Sequence, residues 1–561
     1  MPSHVASALV GALAALSTLA GPASASPCVV PKAKLAVGTY VGAHSTEYNQ
    51  DNFLGIPYAK PPVGPLRFAA PEPFTESFST PRNATQFGWM CIGYGSDTTN
   101  LGSPVNEDCL TLNVVRPRGV KSGDDLPVGV WVHGGSYVTG GSRDPRYDLG
   151  HIVEQSVREG KPMVAVSINY RLQNWGFLFG QELKDAGAGN IAFRDQRLAL
   201  KWLQENIAAF GGNSDKVTIW GESAGARSLG MQLIAYDGKS DGLFSGAILQ
   251  SGSPVAPFRD AAAWQPYFDA LVERTGCSDD ADRLACLRAL PWQTLNVIFN
   301  GSQPLSVTAP TLSAVIDDDF MTGQAVDLLA QGKFAHVPLL TGNNFDEGTA
   351  YAKSGINTDD QWTAWLKSLN LNADQIAALS LLYPDDPTVG IPAESIFPGR
   401  PSADSTFGLQ FKRSAALAGD YQQHAGRRAL TTAYAAAGLP VYSYLWNVIV
   451  NGLPAPIYGA THFQEVAFVF NNVKGTGYAA SPFAGKPQTY VELADLMSKM
   501  WVAFIHDSNP NLSSELGLEW PRYTGASPNN LVFDTNQTGL RYIAKDDDRP
   551  AEIAYLLESV F

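Results

Sequence analysis

The sequence predicts an α/β fold with a central, mostly parallel sheet flanked by helices and carrying large insertions. Two observations lead there. Short runs rich in β-branched and apolar residues recur along the chain, and stretches of helical composition and length separate them. The strand-like runs are apolar at successive rather than alternate positions, which places them in a sheet covered on both faces.

Taken in order, the expected strands are Leu126–Val132, 163–170, 217–220, Gly246–Gln250, 337–340 and Val441–Trp446. Helical stretches are expected at 193–210, 224–235 and, Ala-rich, at 414–437. Alternating βα units of this kind build a parallel sheet with helices on both faces. The chain has 561 residues, more than one domain usually needs. One sheet nevertheless runs from early to late, so residues 26–561 are expected to form a single domain. Its main excursions, 255–330 and 353–410, should lie near the C-terminal ends of the strands, where ligands bind in open α/β sheets.

Composition narrows the class. Hydrophobic residues make up 45% and charged residues 16% of the chain, enough apolar material for a large core. The net charge of −14 repels nucleic acid and anionic membranes, so a small or apolar partner is expected. The run from Val5 to Ala20, followed by Ala23-Ser24-Ala25, reads as a signal peptide over residues 1–25 and predicts a secreted, extracellular protein. No later run is long and apolar enough to span a membrane. Secretion makes disulfides the default state of the five cysteines, with Cys91 and Cys109 closing one loop, Cys277 and Cys286 a smaller one, and Cys28 left over. Sequons at Asn83, Asn300, Asn511 and Asn536 fit a glycoprotein.

The chemistry begins at Gly221-Glu222-Ser223-Ala224-Gly225, directly after the run 217–220 and before a helical stretch. This is G-x-S-x-G in a strand–turn–helix context, where small neighbours allow a sharp turn that lifts the Ser223 hydroxyl above the sheet. A serine needs a base. Of the histidines beyond it, His336 precedes its strand and His424 and His506 fall in helical stretches, whereas His462 lies in a loop after Val441–Trp446. His462 is therefore the expected base. An acid should follow the preceding strand, and Asp346 and Glu347 both do; local chemistry does not separate them. The strand ending at Val132 leads into His133-Gly134-Gly135-Ser136, and backbone N–H groups of Gly135, Ser136 and Ala224 are expected to form an oxyanion hole. Neither metal nor organic cofactor is implied.

Together these residues resemble the carboxylesterase type-B family of α/β-hydrolases, which includes cholinesterases, fungal lipases and the non-catalytic neuroligins. Besides Gly221 to Gly225, the likeness rests on Phe53-Leu54-Gly55-Ile56-Pro57-Tyr58-Ala59, Glu107-Asp108-Cys109-Leu110, Asn169-Tyr170-Arg171, Asp195-Gln196-Arg197, Gln250-Ser251-Gly252-Ser253 and Asp346-Glu347-Gly348. The resemblance implies that Glu347 is the acid of the triad and that the disulfides are Cys91–Cys109 and Cys277–Cys286. It implies that Arg67 with Glu107, and Arg171 with Asp195, are structural ion pairs, and that Glu222 tunes the field of the site.

Two departures bear on specificity. Ser136 stands where many relatives have a third glycine, and its side chain narrows the space for bulky alcohol groups. The loop between Cys91 and Cys109 holds 17 residues and no tryptophan, which disfavours choline esters and strong interfacial activation. The expected function is a secreted serine carboxylic-ester hydrolase working through an acyl-enzyme on Ser223. A lipase or sterol esterase with a mobile lid, and a binding module without catalysis, are the rival readings; oligomeric state is left open.

Overall fold

The computed structural model describes residues 30–95, 104–453, 456–511 and 517–561. The expected signal peptide and Cys28 lie outside the described residues. An eleven-stranded sheet forms the spine of the molecule. Its strands are β1 (Ala43–Ser45), β2 (Gln50–Pro57), β3 (Thr111–Pro117), β4 (Leu126–Val132), β5 (Val164–Ile168), β6 (Gly212–Glu222), β7 (Gly246–Gln250), β8 (Leu339–Asn344), β9 (Val441–Trp446), β10 (Asn529–Phe533) and β11 (Arg541–Lys545). Across the sheet the order is β11-β10-β9-β8-β7-β6-β4-β5-β3-β2-β1.

From β5 through β4 and on to β10, each strand runs parallel to its neighbours. The expected strands all belong to this block, and their side chains are buried on both faces. The two flanks are antiparallel, β1-β2-β3 against β5 on one side and β11 against β10 on the other. Sequence alone did not reveal them: half-exposed flanking strands such as Arg541–Lys545 lack the continuous apolar signature of the centre.

Helices α1 (Leu149–Arg158), α2 (Ile191–Asn206), α3 (Ala224–Gly238), α4 (Phe411–Gly419), α5 (Ala425–Ala436) and α6 (Gln488–Asp507) cover the sheet. The Ala-rich stretch forms α4 and α5 joined by a π-helical turn, Asp420–His424. One face of the sheet packs Trp131, Trp220 and Phe470, with the Trp131 and Trp220 rings edge to face at 4.7 Å. The excursion 255–330 folds into short helices over a separate apolar cluster around Trp264, Phe268 and Trp175. No described helix is long and apolar enough to cross a membrane.

Cys91 is bonded to Cys109, and Cys277 to Cys286. Arg67 grips Glu107 with two nitrogens, the longer contact being 2.9 Å, and donates to the carbonyls of Arg288 and Leu290, tying the second disulfide loop to the first. Arg171 pairs with Asp195 through a fork at 2.6 and 2.8 Å, with the carboxylate fully buried. Neither pair borders the pocket described below. A third fork joins Arg427 of α5 to Asp546, and Arg428 adds a further bond to the same carboxylate. Burial by itself would raise the Asp546 carboxyl, but the two guanidiniums hold it well below the usual carboxylate range.

Removing one partner of such a pair strands a buried charge. Asp546→Asn should therefore lower unfolding stability by about 3–5 kcal/mol. Asp547→Asn, in the exposed pair with Lys545, should cost about 1 kcal/mol or less; urea midpoints distinguish the two. Because Asp546 is depressed in the folded chain, its contribution is full at neutral pH and is withdrawn as pH falls below about 4.

Candidate active site

Ser223 sits between β6 and α3 with φ +56° and ψ −124°, a region that non-glycine residues rarely occupy. The flanking glycines make this turn possible. A Cβ on Gly225 would lie 2.0 Å from the Val132 carbonyl oxygen, and one on Gly221 2.7 Å from the same atom. The strained residue is pinned by its own N–H, which donates to the Gln250 carbonyl at 2.9 Å. The result is a serine hydroxyl presented at the C-terminal edge of the sheet.

Two loops bring partners to it. After β8, Asn344 leads into Asp346 and Glu347; after β9, a loop carries His462. His462 Nε2 lies 2.8 Å from Ser223 Oγ, and its Nδ1 lies 2.6 Å from Glu347 Oε2. The structure thus separates the two adjacent carboxylates. Asp346 instead accepts the Ala460 N–H at 2.8 Å and donates its own N–H to the Ala460 carbonyl, clamping the histidine loop. Glu347 Oε1 accepts from the Asn344 N–H at 2.8 Å and from the Ser251 hydroxyl. A carboxylate this well bonded is held for one purpose, to face the imidazole.

Opposite the serine, Gly134, Gly135 and Ser136 line a cavity of about 270 Å³ together with Arg146, Tyr147, Ser223, Tyr351, His462 and Phe463. Gly135, Ser136 and Tyr137 all have positive φ, and the Val138 and Thr139 N–H groups both turn back to the Gly135 carbonyl. The loop is held from behind by Tyr170, whose hydroxyl donates to the His133 carbonyl at 2.8 Å. Ser136 is exposed at the mouth, where its side chain meets the pocket rim. The Ala224 N–H opens α3 and has no intrahelical acceptor, as befits the first residue of a helix.

Carboxylates crowd the imidazole. Glu222 Oε1 is 3.1 Å from His462 Nε2, and Glu222 is fully buried. Glu465, also buried, accepts from Gln250 Nε2 and Asn344 Nδ2. Burial pulls the His462 imidazole down, but Glu222 and Glu347 outweigh it and raise the group to about 9. Burial raises the Glu222 carboxyl, against the pull of His462. The surrounding negative charge favours the imidazolium. The arrangement can therefore take a proton from Ser223 and stabilise the cation that results.

Tyr351 and Arg146 carried no signal in the sequence, and Ser251 stood in the Gln250–Ser253 motif without an assigned role. Ser251, Tyr351 and Arg146 reach the site from separate loops. The Tyr351 ring lies 5.1 Å from that of His462, and Arg146 packs over Phe463 at 4.9 Å while pairing with buried Asp144. Glu465, three residues after His462, could have been suspected from proximity alone. Cys277, Asp280 and Cys286 come close together, but the disulfide consumes both thiols.

The sequence matches the Carboxylesterase family over residues 31–550. Lipase 2 of Diutina rugosa is 34% identical, covering 94% of this chain and 96% of that protein. Secreted lipase 1 of Botryotinia fuckeliana is 35% identical, covering 86% and 85%. The structure is similar to EstA of Aspergillus niger, with a TM-score of 0.78 and 27% identity over 94% of this chain and 97% of that one. It is similar also to a PNB esterase, with a TM-score of 0.74 and 26% identity over 93% and 99%. With this fold and these relatives, the chain belongs to the carboxylesterase family and is a carboxylic-ester hydrolase on the α/β-hydrolase scaffold.

Proposed function

We propose that the protein is a secreted serine carboxylesterase that works through an acyl-enzyme on Ser223. The continuous chain of short contacts from Ser223 through His462 to Glu347 carries this reading. His462 takes the hydroxyl proton as Ser223 attacks the ester carbonyl, and Glu347 holds the imidazole in the required tautomer. The N–H groups of Gly135, Ser136 and Ala224 receive the oxyanion. His462 then protonates the leaving alcohol, and water repeats the sequence to release the acid. Residues 26–561 act as one domain, and the small-residue motif at 23–25 supports secretion, as do the printed names of secreted relatives.

A lipase is the second reading, favoured by relatives such as Lipase 2 of Diutina rugosa. Residues 96–103 of the loop between Cys91 and Cys109 lie outside the described residues. Incubation with p-nitrophenyl esters from acetate to palmitate, with emulsified triglyceride and with a fluorophosphonate tests both. Turnover and labelling in wild type, and neither in Ser223→Ala, establish the nucleophile. A burst of rate at the emulsion interface overturns the carboxylesterase reading in favour of the lipase. Absence of turnover and labelling in wild type overturns both.

The crowd of carboxylates sets the pH profile. Activity needs neutral His462, whose folded value is raised above the 6.5 of a free imidazole, so kcat/KM should climb with pH through an acid limb above 6.5. Glu222→Gln removes a charge that favours the imidazolium. The acid limb should then move to lower pH; a profile that does not move would separate Glu222 from this tuning.

A further inference from the structure

Most cations near the active site are neutralised by a carboxylate. Arg146 is paired with Asp144, Arg427 with Asp546, and Arg549 with Asp420. Arg227 is different. It lies on α3 four residues after Ser223, and its backbone N–H donates to the Ser223 carbonyl at 2.8 Å. Ser223 is the N-cap of α3, so Arg227 ends the first turn of the helix that Ser223 opens. The half-buried Arg227 side chain reaches the π-helical turn, where Nη2 alone is bonded, to the carbonyl and the Oε1 of Gln422, the latter at 2.7 Å. Among the described residues no carboxylate pairs with it, and its Nε and Nη1 have no hydrogen-bond partner.

The surroundings connect this guanidinium to the reacting centre. Next to Gln422, Gln423 Nε2 donates to the Tyr351 hydroxyl at 3.1 Å, and the Tyr351 ring lines the cavity against His462. Tyr421, in the same turn, feels a second cation: burial raises its hydroxyl, while Arg227 and Arg259 both pull it down. Arg259 is also half-buried and also lacks a carboxylate partner among the described residues. Two partly desolvated guanidiniums without a carboxylate partner, one of them a single helical turn from Ser223, run against the composition of a chain with net charge −14.

We propose that Arg227, assisted by Arg259, selects esters whose acyl limb carries a carboxylate, such as half-esters of short dicarboxylic acids. This rests on the hydrolase reading above. The leaving oxygen must face His462, whereas the acyl limb stays bonded to Ser223 at the start of α3. Arg227 ends the first turn of that helix, and its free Nε and Nη1 donors can each give a carboxylate a charge-assisted hydrogen bond. An apolar chain in the same place would strip water from the guanidinium without replacing its hydrogen bonds. The site therefore discriminates against fatty acyl groups as well as in favour of anionic ones.

The test compares ethanol release from monoethyl adipate and from ethyl hexanoate, which match in chain length and differ in the terminal carboxylate. Wild type should prefer monoethyl adipate. Arg227→Met should lower kcat/KM for monoethyl adipate about tenfold or more, the scale of one charge-assisted hydrogen bond. The loss should fall mainly on KM, with ethyl hexanoate turnover unchanged or raised. Arg227→Lys should retain part of the preference, and Arg259→Met should lose less than Arg227→Met. Wild type that cleaves ethyl hexanoate at least as well as monoethyl adipate overturns the proposal without any variant. So does an Arg227→Met enzyme that loses both activities equally. In either case fluorophosphonate labelling of Ser223 shows that the hydrolase reading survives; no cleavage and no labelling overturn both.

Discussion

The backbone of Ser223, held in a left-handed conformation between a buried strand and a helix, is the constraint on which the active site depends. Such a residue costs about 1–3 kcal/mol relative to relaxed backbone, and the parallel block of the sheet supplies the rigidity that sustains it. Val132 at the end of β4 approaches so closely that Gly221 and Gly225 admit no side chain. Gln250 at the end of β7 takes the Ser223 N–H. The turn is thus wedged between the ends of its two neighbouring strands. The same crossing sends β4 into the Gly134–Gly135–Ser136 loop, so Ser223 and the oxyanion donors expected for it are positioned by one set of strand ends.

Around this turn the protein gathers four carboxyl groups out of reach of water. Glu222, Glu347, Glu465 and Asp346 are all buried. Each of the last three is held by N–H or O–H donors, from Asn344 and Ser251 to Glu347, from Asn344 and Gln250 to Glu465, and from Ala460 to Asp346. Buried carboxylates without donors would take up protons instead. Glu222 differs, since its contact is with His462 itself. In the proposed reaction, the imidazolium formed when Ser223 gives up its proton arises in a field already arranged for it, which is the electrostatic form of catalysis that needs no reorganisation.

The helices that cover the sheet add what the sheet cannot supply. The π-helical turn between α4 and α5 brings Gln422 to Arg227 and Gln423 to Tyr351. Polar groups therefore sit behind Tyr351, next to the first turn of α3. Relatives named as lipases share the scaffold, and scaffold alone does not fix the acyl group that a hydrolase accepts. The side chains of Arg227 and Ser136 take no part in the contacts that hold the strained turn, so they are positions where such differences can accumulate.

The sequence by itself determined the centre of the molecule. Strands buried on both faces have a continuous apolar signature, so β4 to β9 were legible, and G-x-S-x-G carries its own strand–turn–helix geometry. The order of Ser223, the Asp346-Glu347 pair and His462 along the chain narrowed the partners to a few residues. Tertiary structure decided the rest, because those decisions depend on distances between separate loops. It divided Asp346 from Glu347, giving one to the backbone of Ala460 and the other to the imidazole. It set Ser251, Glu465 and Tyr351 around the His462–Glu347 pair, and it added the antiparallel flanks, whose outermost strands are half-exposed and have weak local patterns. It also left Arg227 without a carboxylate beside the nucleophile. A side chain's charge is written in the sequence, but whether that charge is neutralised depends on what folds against it.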